Sequence, residues 1–367
     1  MAEFAARLIA WHRRHGRHDL PWQRPVTPYR AWISEIMLQQ TQVRTVIPYF
    51  ERFIARFPDV QALAAASQDE VLRLWSGLGY YARARNLHKA AQIICEAHGG
   101  ELPVTLEEMM ELPGIGRSSA GSILALSRNL PLPILDGNAK RVLCRHEGVR
   151  GWPGRREVEV KLWQLAERLV PREDAASYTQ AIMDLGATVC TRGEPRCELC
   201  PVNATCAARR HGIQSELPEA RPRRNIPVRR ATLALIENRT GEILLERRPA
   251  AGVWGGLWSL PECPPGSDAA DWVRQRFGWS VSAVEAAPEF RHTFTHFHLD
   301  IVPLRIRLGQ DANGIADSAG IAWRRPGKKL DLGVAAPIRK LIENHASRHS
   351  GQVGKARGND VIPGERT

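Results

Sequence analysis

The sequence predicts two domains, the first mainly α-helical and the second α+β. Apolar residues recur at three- and four-residue spacing from residue 3 to about 210. An arginine- and proline-rich stretch poor in apolar residues follows, HGIQSELPEARPRRNIPVRR at 211–230, and reads as a linker. Short β-rich runs then flank turn residues, with helical patterns between and after them. The length agrees, since 367 residues exceed the roughly 250–300 at which single cores stop growing.

Taken in order, MAEFAARLIAWHRRHGRH reads as an amphipathic helix. Its charges follow the apolar stretch and no small-residue cleavage site is present, so it is not a signal peptide. Thr27-Pro28 is a helix start, with Thr as N-cap and Pro in the first turn. AWISEIMLQQ, DEVLRLWSGLGYYARARNLHKAAQIICEAH and VEVKLWQLAERLV carry helical periodicity. Thr105 and Glu108 form a capping-box pattern. In ELPGIGRSSAGSI, Pro113 ends one helix, while Gly114 and Gly116 permit positive φ and a close backbone approach. The next helix begins at Arg117, and its N-terminal N–H groups make a natural phosphate site. In PILDGNAKRVL, Asp136 reads as the N-cap of a helix beginning near Asn138.

Beyond the linker, ATLALIEN and EILLERR read as strands around the turn RTG. DAADWVRQRF is helix-like, FRHTFTHFHLDIVPLRIRL reads as one long strand, and VAAPIRKLIENHA closes the domain at about residue 346. The tail 347–367 lacks apolar content and is expected to be disordered. No internal repeat is present.

A hydrophobic content of 43% and a charged content of 25% are those of a soluble globular protein, and no apolar run reaches the length of a membrane span. The net charge of +12 favours an anionic partner, nucleic acid being the commonest; solubility alone is the bland alternative. Without an export signal the expected compartment is the cytoplasm, or the nucleoid if the source is bacterial, where thiols stay reduced.

Four of the seven cysteines crowd into CTRGEPRCELCPVNATC at 190–206. In a reducing compartment Cys190, Cys197, Cys200 and Cys206 read as metal ligands rather than two disulfides. Four thiolates serve either tetrahedral zinc or a four-iron four-sulfur cluster. One C-x2-C knuckle, where zinc sites usually have two short ones, favours the cluster. Cys95, Cys144 and Cys263 are isolated and read as ordinary buried cysteines. Glu35 falls at the margin of an apolar helix face built by Trp32, Ile33, Ile36, Met37 and Leu38; by itself it reads as a surface residue.

Together these pieces resemble the helix-hairpin-helix DNA glycosylases with an iron–sulfur loop, the endonuclease III superfamily, and within it the adenine-specific branch. The markers are LPW at 20–22, SEIMLQQTQV at 34–43, GLGYYARARNLHKAA at 77–91, LPGIGRSSAG at 112–121, LDGN at 135–138, the four cysteines, and FTHFHLD at 294–300. They run through both domains.

The resemblance implies a glycosylase domain over 1–210 holding one four-iron four-sulfur cluster, and a Nudix-like lesion-recognition domain over 231–346. It implies double-stranded DNA as partner, with adenine opposite 8-oxoguanine or guanine as substrate, and a monomer. Glu35 matches the acid that protonates adenine at N7 and then activates water; Asp136 matches the carboxylate that stabilises the sugar cation. Gln40, Thr41, Gln42, Tyr80, Gly114, Gly116 and Ser118 match DNA-contacting positions, with Gln42 and Tyr80 as the wedge. Trp22, Leu38, Leu78, Ser118, Gln180 and Met183 match the adenine pocket. Phe294, Thr295 and His296 match a Phe-Ser-His loop that reads 8-oxoguanine, with threonine in place of serine.

Lyase members carry a lysine directly after the hairpin; here Ser118 stands there, which implies a monofunctional enzyme. Lys140 is the nearest alternative amine. The Nudix glutamate-rich helix is missing from DAADWVRQRFGW, which argues against pyrophosphatase activity. His292, His296 and His298 alternate along a strand but lack a carboxylate or cysteine motif and read as structural. The rival readings are a lyase acting on oxidised pyrimidines and a non-catalytic cluster-containing DNA-binding protein. Ser118 and the paired carboxylates argue against them respectively.

Overall fold

The computed structural model describes residues 2–222, 225–309, 320–328 and 330–355. Its helices are α1 (Ala2–His15), α2 (Pro28–Leu38), α3 (Val43–Arg56), α4 (Val60–Ala64), α5 (Gln68–Trp75), α6 (Ala82–Ala97) and α7 (Leu106–Glu111). Then come α8 (Arg117–Arg128), α9 (Gly137–His146), α10 (Arg156–Leu169), α11 (Ala175–Thr188) and the short α12 (Ala207–His211). The C-terminal part holds strands β1 (Val228–Glu237), β2 (Ile243–Arg247), β3 (Trp258–Ser259) and β4 (Glu262–Cys263), then α13 (Ala269–Phe277). Strands β5 (Val281–Ala286), β6 (Phe290–Thr293), β7 (His298–Leu308) and β8 (Ile321–Arg324) and helix α14 (Ala336–Lys355) complete it. No helix among the described residues is long and apolar enough to cross a membrane.

The chain divides into two compact units, one of residues 1–67 and 82–223, the other of residues 68–81 and 224–367. In the first, α11 packs against α1, α8 and α9, and α2 packs against α3, α6 and α8. Phe4, Leu8, Leu143, Leu162, Ile182 and Leu185 belong to one apolar core shared by α1, α9, α10 and α11. Predicted caps account for several boundaries. Thr27 accepts from Arg30 N at 3.1 Å, Thr105 accepts from Glu108 N at 3.3 Å, and Asp136 accepts from Ala139 N at 2.7 Å.

The second unit carries one sheet in the order β3-β2-β1-β7-β5. β8 also pairs with β2, β4 with β1, and β6 with β7. β1 and β7 run parallel over ten residue pairs from Val228↔His298 to Glu237↔Arg307; the other named pairings are antiparallel. Ala269 and Val273 of α13 pack with Ala234, Ile236, Leu244 and Ile306 of the sheet.

The structure corrects four expectations. The run from Asp69 to His98 is two helices, because Gly77 and Gly79 take positive φ (110° and 72°) and Tyr80 follows at 48°. FRHTFTHFHLDIVPLRIRL is a hairpin: Phe294 N bonds to Phe297 O at 2.9 Å, closing a four-residue turn between β6 and β7. Gly116 sits at φ −93°, so only Gly114 of the hairpin pair uses a left-handed conformation (φ 82°). Cys95 is partly exposed, unlike Cys144 and Cys263. Helix α14 is described through Lys355. Residues 356–367 lie outside the described residues.

Candidate active site

Helix α2 buries Tyr29, Ala31, Trp32, Ile33, Ile36 and Met37, which leaves Glu35 on the remaining strip of its surface. That strip faces a cavity of about 750 Å³. Glu35 and Asp136 both line it, together with Trp22, Leu38, Ser118, Gln180 and Met183, and with the turn Gln40-Thr41-Gln42. Leu78 and Tyr80 are not among the lining residues; Leu78 is buried and Tyr80 is 45% exposed. Gly114 and Gly116 belong to the hairpin between α7 and α8, where a Cβ added at Gly116 would meet nothing within 4 Å.

Two glycines let the carboxylates approach. A Cβ at Gly121 of α8 would lie 2.6 Å from Pro133 O, and one at Gly186 of α11 would lie 2.6 Å from Asn138 Cβ and 3.0 Å from its Cα. Both helices can therefore close on the 133–138 segment only where no side chain intervenes. That closure brings Asp136, N-cap of α9, to the cavity that α2 and α8 line. Arg83, buried on α6, donates to the carbonyls of Ile36 (2.9 Å), Met37 (2.8 Å) and Gln39 (2.6 Å) and to Thr41 Oγ1 (3.1 Å). A cation at these terminal carbonyls completes the end of α2 and holds the following turn, in which Gln40 takes φ 56°.

The electrostatics separate the two carboxyls by their partners. Burial pushes the Glu35 carboxyl up to about 7, the Asp136 charge adds to the rise, and the hydroxyls of Ser122 and Ser119 oppose it. Burial also raises Asp136, against the Ala139 and Asn138 N–H groups and the Arg141 charge. Glu35 thus keeps a substantial protonated fraction near neutral pH, as a general acid requires, while Asp136 has N–H donors and a cation that oppose the rise burial imposes on it.

Several working residues escaped the sequence reading. Asp184, fully buried, accepts from Arg17 N, Nε and Nη2 (2.8, 2.8 and 2.6 Å) and from Gln180 Nε2 (2.9 Å), with His12 Nε2 at 3.5 Å. Burial works against its charge, but His12 and Arg17 together hold it below the usual carboxylate range. Gln180 thereby commits one of its two Nε2 protons to Asp184, and its carbonyl is free to accept from a bound base. The one sequence signal was the i, i+4 spacing of Gln180 and Asp184. Ser118 accepts from Leu135 N at 2.9 Å. Lys140 pairs with Glu159 at 2.7 Å and does not line the cavity.

The four cysteines of the loop ring a separate cavity, lined also by Arg145, Pro195, Asn203 and Gln214. Among the described residues no three His, Cys, Asp or Glu side chains converge closely enough to hold a single metal ion. Burial and the neighbouring thiolates push Cys200 up to about 12, so four thiolates here need a cationic group among them. Arg145 donates to Cys190 Sγ at 3.4 Å and Gln214 approaches Cys197 Sγ at 3.8 Å. Four sulfurs set apart around one cavity, with donors at two of them, fit a multi-iron cluster better than one zinc.

In the second unit the Phe294–Phe297 turn presents Thr295 and His296 to solvent, with Thr295 Oγ1 3.4 Å from His296 Nδ1. Phe294 stacks on Phe297 (4.5 Å) and sits beside His292 (4.7 Å) and Trp254 (6.0 Å). Helix α13, AADWVRQRF, has no glutamate.

Residues 33–168 match the HhH-GPD superfamily base excision DNA repair protein, and residues 232–344 match the NUDIX domain. The structure of a thermostable thymine-DNA glycosylase is similar over 57% of this chain and 95% of its own, with a TM-score of 0.51 and 24% identity. These define the class, a helix-hairpin-helix glycosylase fold joined to a Nudix-type domain. The adenine DNA glycosylase of Buchnera aphidicola subsp. Acyrthosiphon pisum is 36% identical over 93% of this chain and 97% of its own. That of Rattus norvegicus is 31% identical over 95% of this chain and 79% of its own. The chain belongs to the adenine DNA glycosylase family, enzymes that hydrolyse N-glycosyl bonds.

Proposed function

We propose that this enzyme removes adenine opposite 8-oxoguanine or guanine from duplex DNA by acid-catalysed hydrolysis, without cleaving the strand. The observation that carries the reading is the pair of buried carboxyls on one cavity, Glu35 raised to about 7 and Asp136 raised by burial against the opposing Ala139 and Asn138 N–H groups and the Arg141 charge.

The target nucleotide must leave the stack to reach such a cavity. Glu35 donates its proton to N7 of the base, which turns adenine into a leaving group; the resulting carboxylate then takes a proton from water. Asp136 faces the sugar, where its charge stabilises the developing cation. The Gln180 carbonyl is an acceptor for the exocyclic amine of adenine. Trp22, Leu38 and Met183 supply apolar wall, while Gln40, Thr41, Gln42 and Tyr80 hold the opened duplex. Backbone N–H groups at the Gly114–Gly116 hairpin take a phosphate. With Ser118 after the hairpin and Lys140 engaged by Glu159, no lysine among the described residues lines the cavity to attack the sugar.

Cys190, Cys197, Cys200 and Cys206 would hold a four-iron four-sulfur cluster, which supplies a rigid cationic staple for the loop. The glycosylase function is assigned to residues 1–210 and lesion reading to 231–346, where Thr295 and His296 offer a donor and an acceptor to 8-oxoguanine. The net charge of +12 suits a duplex partner. Incubation with A:8-oxoguanine duplex tests the proposal: free adenine should appear with strand breaks only after alkali. Breaks without alkali, or no adenine, would contradict it.

A further inference from the structure

The strongest unexplained arrangement in the cavity is a file of two side chains behind Glu35. Gln39 Nε2 donates to Ser119 Oγ at 3.2 Å, and Ser119 Oγ donates to Glu35 Oε1 at 3.0 Å. Ser119 is 8% exposed, so water competes little for its hydroxyl. A serine hydroxyl has one proton and two lone pairs. The Gln39 amide N–H can only donate, so it occupies a lone pair and leaves the single Ser119 proton to point at Glu35.

We propose that Gln39 and Ser119 form a directional relay that makes Glu35 Oε1 a standing acceptor and places the transferable proton on Oε2. The relay deepens the acid role assigned to Glu35 above and rests on it. Gln39 and Ser119 are positioning residues: they act through Glu35 and do not touch the base. Gln39 is itself anchored, because its backbone carbonyl accepts from Arg83 at 2.6 Å. The relay thus passes from the end of α2 across to α8 and back to α2.

Ser122 extends the device. It lies one turn beyond Ser119 on α8, is 2% exposed, lines the same cavity, and its hydroxyl also favours the charged Glu35 carboxyl. A second hydroxyl beside the carboxyl adds to the stabilisation of the carboxylate that forms after the proton leaves. The other charged groups lining this cavity are Asp136 and Arg17. Hydroxyl donors favour the charged carboxyl, so the relay lowers a pKa that burial and Asp136 raise.

Single-turnover adenine release measured from pH 5 to 9 tests the relay, with unfolding and duplex binding recorded for each variant. The wild-type rate should fall as pH rises through about 7, as Glu35 loses its proton. Ser119→Ala removes a donor to the carboxylate and should move that falling limb upward by about half to one pH unit. Ser119→Thr, which keeps the hydroxyl, should restore it. Gln39→Leu should move the limb in the same direction by less. An unmoved limb in Ser119→Ala, whatever its rate, would overturn the relay and leave Ser119 a packing residue. Glu35→Gln serves as the control: full activity there would remove the acid role itself, a failure distinct from that of the relay.

Discussion

Arg141 Nε donates to the backbone carbonyl of Cys190 at 2.7 Å, which ties the helix capped by Asp136 to the first cysteine of the loop. The same guanidinium donates to Asn138 Oδ1 at 2.8 Å and to Gly186 O at 2.6 Å, while Asn138 Nδ2 donates to Asp136 Oδ2 at 3.2 Å. The path of the cysteine loop is thus coupled to the Asp136 carboxyl through two side chains, Arg141 and Asn138. Arg141→Ala should lower the excision rate by an order of magnitude or more while Asp136 remains in place, since bonds to a charged group contribute about 1.5–3 kcal/mol each. Iron content and rate should fall together; a variant with full iron and full rate would show the bridge to be idle.

Gly186→Ala should be nearly as harmful although the change adds one methyl. Its Cβ would sit 2.6 Å from Asn138 Cβ and 3.0 Å from Asn138 Cα, and the backbone there cannot step aside without moving Asp136. A stability loss of roughly 1–3 kcal/mol is expected from such overpacking. Denaturant unfolding and single-turnover rates should both register it.

The raised carboxyl has a stability consequence. Glu35 in the folded state titrates near 7 against an ordinary value of 4.5, so between those values the folded state binds more protons than the unfolded one. Stability is therefore lost as pH rises from about 4.5 to 7. Glu35→Gln removes that penalty and should stabilise the protein by about 1–3 kcal/mol at pH 8 while changing little at pH 4.5. Thermal unfolding at the two pH values checks the sign.

Lesion reading makes a separate prediction. Thr295→Ala should reduce action on A:8-oxoguanine about tenfold and leave A:G nearly unchanged, because plain guanine lacks the altered N7–H and C8 carbonyl. Trp254→Ala, which removes a ring 6.0 Å from Phe294, should follow the same pattern more weakly. Equal losses on both mispairs would make the turn a general DNA clamp.

How much was legible in the sequence depended on the range of the signal. Thr27, Thr105 and Asp136 announced their caps because a cap is a local hydrogen bond. From the helix pattern alone Glu35 was a charge at the edge of an apolar face, and only the family resemblance gave it the acid role. Its burial arises when α8 closes over it, which hinges on contacts such as Gly121 against Pro133 that no periodicity encodes. Arg17 and Asp184 were missed because they are 167 positions apart and each looks like an ordinary helix-surface charge. The β6–β7 turn was missed for the opposite reason: Phe294-Thr295-His296-Phe297 carries no glycine or proline, so the alternation reads straight through it. In GLGYY the glycines were plain to see, yet helical spacing on both sides masked the break.

The central claim is that Glu35 supplies the proton that releases adenine, and comparing Glu35→Gln with the wild type tests it most directly. The measurement is the single-turnover rate of adenine release from A:8-oxoguanine duplex, at enzyme concentrations above the Kd determined for each protein. Glutamine keeps the size and much of the hydrogen bonding but carries no transferable acid proton. The rate should fall by a factor on the order of 10² or more with mispair binding retained. A rate within a few-fold of wild type would contradict the account.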